Sequence, residues 1–358
     1  MKAATVKISS LALKHNIQKI KQKAPHSKII AVVKANAYGH GLKFVSKALE
    51  NDVDAFGVAR LEEALILRSS GIIKPIVLLE GFFSAEDLPV IAVNNIQTVV
   101  HNRQQLEALQ QSVLPNPIRV WLKIDTGMHR LGVSLEQTDE FYTQLQACAT
   151  VDKEIGFISH FSRADEIDSD YTLIQNERFL QATAGKKGER SIAASGGILF
   201  WPQSHFEWIR PGIIMFGVSP TDTPSDIYGF TPVMTLTSSL IAVRSHKKGE
   251  PVGYGGIWVS DKDTKIGVVA IGYGDGYPRN IPNGTPVWIN GRRVPIVGRV
   301  SMDMVTVDLG ADCREQVGDE VILWGKELPI EEVAKITGLL SYELMTKLTP
   351  RVLIEYID

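Results

Sequence analysis

Between residues 28 and 217 the chain repeats one alternation, a short β-branched run followed by a longer helical or turn-like stretch. Such alternation calls for parallel strands, because two strands joined through a helical crossover run the same way. The runs fall at 28–34, 54–58, 75–79, 97–101, 118–124, 155–160, 191–195 and 206–210. Helical periodicity lies between them, over 61–70, 103–111, 135–149 and 171–184. Leu61, Ala64, Leu65 and Leu67, for instance, share one helical face. Eight such units fit a closed (β/α)8 TIM barrel. An open doubly wound sheet is the competing architecture, disfavoured because no G-x-G-x-x-G follows the first run.

After Gly229 the texture changes. Strand-like runs recur at 235–243, 265–271, 285–289, 292–297, 304–308 and 320–324. Asn283–Gly284 and Asn290–Gly291 read as hairpin turns. Short helices are expected near 330–336 and 342–347, and residues 4–8 are expected to pair with this later region. The chain therefore reads as α/β, with an N-terminal barrel over 11–228 and a C-terminal mainly β domain formed by 1–10 and 229–358.

Charge and composition exclude several classes. The 38 basic and 40 acidic residues nearly cancel and form no basic block, so neither nucleic acid nor an anionic membrane is an expected partner. No apolar run approaches the roughly 18 residues of a membrane span. The first residues lack the apolar core of a secretory signal, and a cytoplasmic location is expected. Cys148 and Cys313 have no metal-type spacing, so neither a disulfide framework nor a metal site is expected.

A barrel carries its chemistry where the strands end. Lys34 closes the apolar run IIAVV. Partial desolvation there would favour Schiff-base chemistry, against the plainer reading of a lysine reaching solvent. In the fifth run Arg119, Trp121, Lys123 and Asp125 alternate with Val120, Leu122 and Ile124. Period two places Lys123 on the polar face, where it needs an anion that Asp125 could supply. His160, in FISHFSRAD, reads by itself more commonly as a satisfied core histidine than as a functional one. Ser195–Gly196–Gly197 follows run seven, and Arg210–Pro211–Gly212–Ile213 closes run eight, where barrels hold phosphate. A strand-end lysine beside a phosphate cradle suggests pyridoxal 5'-phosphate, while an aldolase-type lysine acting on a sugar phosphate needs the same two parts.

The motifs narrow this. VVKANAYGHG at 32–41 resembles the cofactor-lysine motif of the alanine racemases, barrel-fold enzymes dependent on pyridoxal phosphate. WLKIDTGMHRLG at 121–132, SHFSRAD at 159–165, GYGG at 253–256, GYGDGYPR at 272–279 and GRVSMD at 298–303 follow in that family's order. The resemblance implies that Lys34 bonds the cofactor and serves as one catalytic base, with Tyr254 as the second. It implies phosphate contacts from Tyr38, Ser195, Gly212 and Ile213, and Arg210 facing the pyridine nitrogen with His160 in its network. Arg130 and the backbone of Met302, with Asp303 beside it, would hold the substrate carboxylate. Asp165, Tyr273, Arg279 and Arg299 resemble residues of the substrate corridor. Lys123 matches a lysine that carries a carbamate in many members, and members form homodimers whose active sites are shared between chains. One departure is visible: where many members have a gate tyrosine near the C-terminus, this chain reads KLTPRV at 347–352.

Alanine racemisation is the implied activity, supplying D-alanine for peptidoglycan or serving alanine catabolism. A broad-specificity amino-acid racemase is the alternative. The fold-related decarboxylases place an acid opposite the ring nitrogen, where this chain has Arg210. A non-catalytic pyridoxal-phosphate-binding protein would lack the β domain and Tyr254.

Overall fold

The computed structural model describes residues Met1–Asp358 and divides into two compact units, Ile17–Met215, and Met1–Asn16 with Phe216–Asp358. Strand β1, Thr5–Ser9, belongs to the second. In the first, eight parallel strands close on themselves: β2 Lys28–Val32, β3 Ala55–Val58, β4 Ile76–Leu78, β5 Ile96–Val100, β6 Val120–Lys123, β7 Gly156–Ile158, β8 Arg190–Ser191 and β9 Trp208–Ile209. Each strand pairs with the next, and β9 returns to β2 through Lys28 and Ile29. Closure leaves no free edge.

These strands read as near-continuous apolar runs because both faces are covered, by helices outside and by side chains within. Inside, Ile30, Ala55, Val77, Val99, Trp121, Ile158 and Trp208 form one buried cluster drawn from seven strands. Trp121 and Trp208 meet edge to face at 6.0 Å between ring centres. The helix Arg103–Gln111 starts where Asn102 accepts the Gln105 N–H at 2.8 Å, an N-cap that fixes its first turn. The sequence-based limits are generous at strand ends. The first ladder stops at Val32, so Lys34 opens the following turn and is not the last residue of the strand.

In the second unit, strands β10 Met234–His246, β13 Thr264–Val269, β14 Pro286–Ile289, β15 Arg292–Pro295, β16 Val305–Asp308, β17 Glu320–Trp324 and β18 Leu353–Ile357 join β1 in one sheet, while β11 Pro251–Val252 pairs with β12 Trp258–Val259. Strand β1 lies between β10, antiparallel, and β18, parallel. Asn290 and Gly291, both with positive φ, turn β14 into β15 as a two-residue hairpin. Asn283–Gly284 makes no hairpin: the Asn283 side chain accepts the Gly298 N–H, and the Gly284 N–H donates to Ile296.

Gly156 packs where the Trp121 ring lies, and a Cβ there would stand 2.3 Å from that ring. Gly156→Ala should therefore cost about 1–3 kcal/mol through overpacking. Thermal unfolding checks this, and adding Trp121→Leu should recover part of the loss.

Candidate active site

The backbone after β2 does something that few sequences tolerate. Ala35, Asn36, Ala37 and Tyr38 all adopt φ of 52–54°, and Gly39 follows at 82°. This is a full left-handed turn built mostly from residues with a Cβ, at a cost of about 1–2 kcal/mol per residue. Hydrogen bonds offset that cost. The Ala37 N–H reaches the Val33 carbonyl at 2.8 Å, and Gly41 reaches Asn36 at 3.0 Å. The Asn36 side chain accepts the Leu42 N–H at 2.9 Å, and the fully buried His40 sits with Nδ1 3.0 Å from the carbonyls of Ala37 and Tyr38. The turn carries Lys34 at its start and buries Tyr38 at its end.

Tyr38 ends against Gly212, where a Cβ would come within 2.6 Å of the phenol oxygen. Ser195 Oγ completes the group, accepting the N–H of Gly212 at 3.2 Å and of Ile214 at 3.4 Å. Burial pushes the Tyr38 phenol up to about 12, so it stays protonated as a donor. Ser195 opens the helix Ser195–Phe200, and Ile213 opens the 3-10 turn Ile213–Phe216. Tyr38, Ser195, Gly212 and Ile213 therefore gather at one place.

Positive charge dominates the rest of this barrel end. Arg210 is buried: Nη1 donates to Ser191 Oγ at 2.8 Å, and Nη2 donates to the Ser159 carbonyl at 2.6 Å and lies 3.3 Å from His160 Nδ1. Burial pulls the guanidinium down to about 9, still cationic at neutral pH. Burial, and then the charges of Arg210, Lys123, Arg130 and Lys34, hold His160 well below its ordinary value. It is neutral, and its Nδ1 accepts from Arg210. Burial also lowers Lys34, with Glu80 and Glu63 opposing and Arg130 and Arg210 reinforcing. Lys123 falls to about 8, through burial and then Arg210, Arg130 and Lys34.

Asp125 does not neutralise Lys123. Its Oδ1 accepts the N–H of Gly127 at 2.9 Å and of His129 at 3.0 Å, and its Oδ2 takes the His129 ring at 3.1 Å. That local turn in DTGMH uses the carboxylate up. Lys123, Arg130 and His160 line one narrow cleft, which Asp125 also borders. Asp165 lies exposed on the loop after β7.

The remaining expected residues belong to the strand-rich unit. Tyr254 stands 75% exposed in the turn Tyr254–Gly256, close to Arg299 through Gly255. The Tyr273 N–H donates to the Ser301 carbonyl, and Gly274 donates to Met302 at 2.8 Å, so the two loops lie side by side. Asp303 pairs with Arg351 at 2.8 Å, and Arg351 also reaches Asp275 at 3.3 Å. The segment in place of the gate tyrosine thus straps the Tyr273 loop, with Thr349 donating to the Asp275 carbonyl at 3.0 Å. Arg279 is exposed.

Two acids were not singled out from the sequence. Glu80 ends the apolar run IVLLE just as Lys34 ends its own, a readable signal; its carboxylate pairs with Arg60. Glu63 accepts the Ala35 N–H at 2.7 Å, and only its position at a helix start was visible.

Comparison with known proteins agrees with this geometry. Residues 8–220 match the family model "Alanine racemase, N-terminal domain" and residues 233–356 match "Alanine racemase, C-terminal domain". The chain is 77% identical over 358 residues to the alanine racemase of Mannheimia succiniciproducens and 77% identical to that of Actinobacillus succinogenes, covering all of both. The crystal structure of the biosynthetic alanine racemase of Pseudomonas aeruginosa superposes with a TM-score of 0.97 at 41% identity, with both chains fully covered. A closed barrel whose first strand leads into a lysine-bearing left-handed turn, with both family models matched in order, leaves one conclusion: the chain belongs to the alanine racemase family of isomerases.

Proposed function

We propose that the alanine racemisation of this family is carried out here at the barrel mouth with pyridoxal 5'-phosphate, by two bases, Lys34 and Tyr254. The single observation that carries the reading is the cation cluster of Lys34, Lys123, Arg130 and Arg210 around a neutral His160. Like charges crowded in a poorly solvated site repel, and beyond Glu63 and Glu80, the latter already paired with Arg60, they call for further anions. A phosphorylated cofactor with a ring hydroxyl and a substrate carboxylate supply those anions.

The residues fit this cofactor. Gly212 leaves room beside the Tyr38 hydroxyl that a Cβ would fill, and Ser195 with the backbone after Arg210 offers the polar groups a phosphate needs. Arg210 keeps its protons, so an acceptor facing it stays unprotonated. When bound, pyridoxal phosphate draws electrons from the substrate Cα and makes its proton acidic. Inverting that carbon needs one group to remove the proton on one face and another to return a proton on the opposite face. Lys34, lowered by burial, takes and gives a proton at Nζ; Tyr254 does so at its phenol oxygen. Arg130, the Met302 backbone and Asp303 orient the carboxylate, while Asp165, Tyr273, Arg279 and Arg299 border the route to it.

Lys123 carries a carbamate in this reading. The free amine adds carbon dioxide at Nζ and releases a proton, which replaces a cation beside Arg130 with an anion able to hold it. The amine is uncharged above about 8, so the modification forms more readily there than below. The chain works as a homodimer in which Lys34 and Tyr254 of one site come from different protomers. No helix is long and apolar enough to cross a membrane, in keeping with a cytoplasmic enzyme supplying D-alanine.

Purified protein should absorb visibly with the cofactor, and borohydride should fix the label on Lys34; label on another lysine contradicts the assignment. Tyr254→Phe should slow loss of α-deuterium from L-alanine by about 10²–10⁴-fold while loss from D-alanine persists. Equal effects on both enantiomers remove the tyrosine from the proposed role.

Mixed Lys34→Ala and Tyr254→Phe protomers should recover up to about half the native sites per mixed dimer, because one of its two sites is intact. No recovery after verified subunit exchange refutes the shared site. Lys123→Ala should lose activity that small carboxylates partly restore, and bicarbonate should add mass to native Lys123 more above pH about 8 than below. An unmodified lysine under bicarbonate, with no rescue, ends the carbamate reading.

A further inference from the structure

We propose that Glu63 is a positioning residue for Lys34, its carboxylate tying the backbone just after the lysine to the start of the helix Leu61–Ser69. The inference rests on Lys34 being the base for one enantiomer, as proposed above. Glu63 is the third residue of that helix, and its Oε2 does what a glutamate there usually does, accepting the N–H of Ala59 at 2.9 Å and of Arg60 at 3.1 Å. Helix capping accounts for that oxygen alone. Oε1 accepts the Ala35 N–H at 2.7 Å, from a residue 28 positions earlier in the chain. Ala35 begins the left-handed turn, whose own bonds include Ala37 to Val33, Gly39 to Ala35 and Gly41 to Asn36. The Ala35 N–H takes its acceptor from outside the turn. Three backbone donors thus converge on one side chain. A carboxylate, which only accepts, satisfies all three, whereas an amide would aim its NH2 at one of them.

The same carboxylate acts on the amine through charge. Lys34 is faced by Glu63 and Glu80 as acids and by Arg130 and Arg210 as cations, with Lys123 and neutral His160 in the same cluster. Glu80 acts on the amine more strongly than Glu63 and also pairs with Arg60, but it makes no bond to the turn that carries Lys34. Glu63 therefore does two things for Lys34: it fixes the backbone from which the side chain leaves, and it favours the protonated amine against burial and the two arginines.

The test uses holoenzyme and follows loss of α-deuterium from each enantiomer across pH. Glu63→Gln should slow loss from D-alanine about tenfold, since misplacing a reacting group is costly. The acid limb of that profile should move to lower pH by about half a unit to one unit, because the amine loses a favourable charge. Loss from L-alanine should keep the position of its limb. Glu63→Asp, which retains the charge, should leave the D-alanine limb in place and reduce the rate alone. Equal losses for both enantiomers with neither limb moved would overturn the proposal and leave Glu63 a helix cap. Persistence of D-alanine exchange in Lys34→Ala supplied with cofactor would overturn the reading of Lys34 itself, and this inference with it.

Discussion

Repulsion among like charges at the end of a closed barrel is the constraint on which the rest of this site depends. Burial lowers Lys34, Lys123 and Arg210, and the charges of Arg130 and Arg210 lower both lysines further. In water such a group would spread apart. Here closure of eight strands fixes their origins, and the tight interior behind them, with Trp121 wedged against Gly156, leaves little freedom to relax. Arg210 shows how the fold bears the burden: Ser191 Oγ and the carbonyl of Ser159 accept its hydrogen bonds, and His160 remains neutral beside it. A site arranged in this way is prepared for anions before any arrive.

The left-handed turn at 35–39 belongs to the same economy. A right-handed helix after β2 would start with the same residues at lower conformational cost, yet the chain folds the other way. The turn brings the Tyr38 hydroxyl against Gly212 while keeping Lys34 just beyond the strand. Its stabilisation comes from outside as well as inside: Asn36 caps Leu42, His40 gathers two carbonyls, and Glu63 takes Ala35. Strain held in place by surrounding bonds is common where a reacting group must stay still.

Much of this was legible in the sequence, and the failures have physical causes. Strand and helix alternation reports burial on both strand faces, so a parallel α/β fold was readable, and the missing G-x-G-x-x-G favoured the barrel over an open sheet. Lys34 stood out as a charge closing an apolar run, although a lysine reaching solvent reads the same way and the motif around it was needed to decide; Glu80 offered the same run-end signal. The left-handed turn was hidden because alanine and tyrosine do not advertise positive φ, and only Asn36, Gly39 and Gly41 hint at it. Period two put Lys123 on the inner face, but it could not reveal that Asp125 is engaged by His129 and Gly127 in its own loop. Local hydrogen bonds of that kind compete with longer-range pairing. The second partner of Glu63 lies in a distant part of the chain, beyond any local pattern. Resemblance supplied what periodicity could not, the roles proposed for Tyr254 and Met302.

The central claim is that the cation cluster and the Tyr38–Ser195–Gly212 group are two halves of one anion site with a fixed polarity. A crystal structure of the protein grown with pyridoxal phosphate tests that most directly. The account predicts density continuous with Lys34 Nζ, the phosphate held by Tyr38, Ser195 and the Gly212–Ile213 backbone, and the ring nitrogen beside Arg210. A phosphate seated between Lys123 and Arg130, or a cofactor bonded to another lysine, would contradict it.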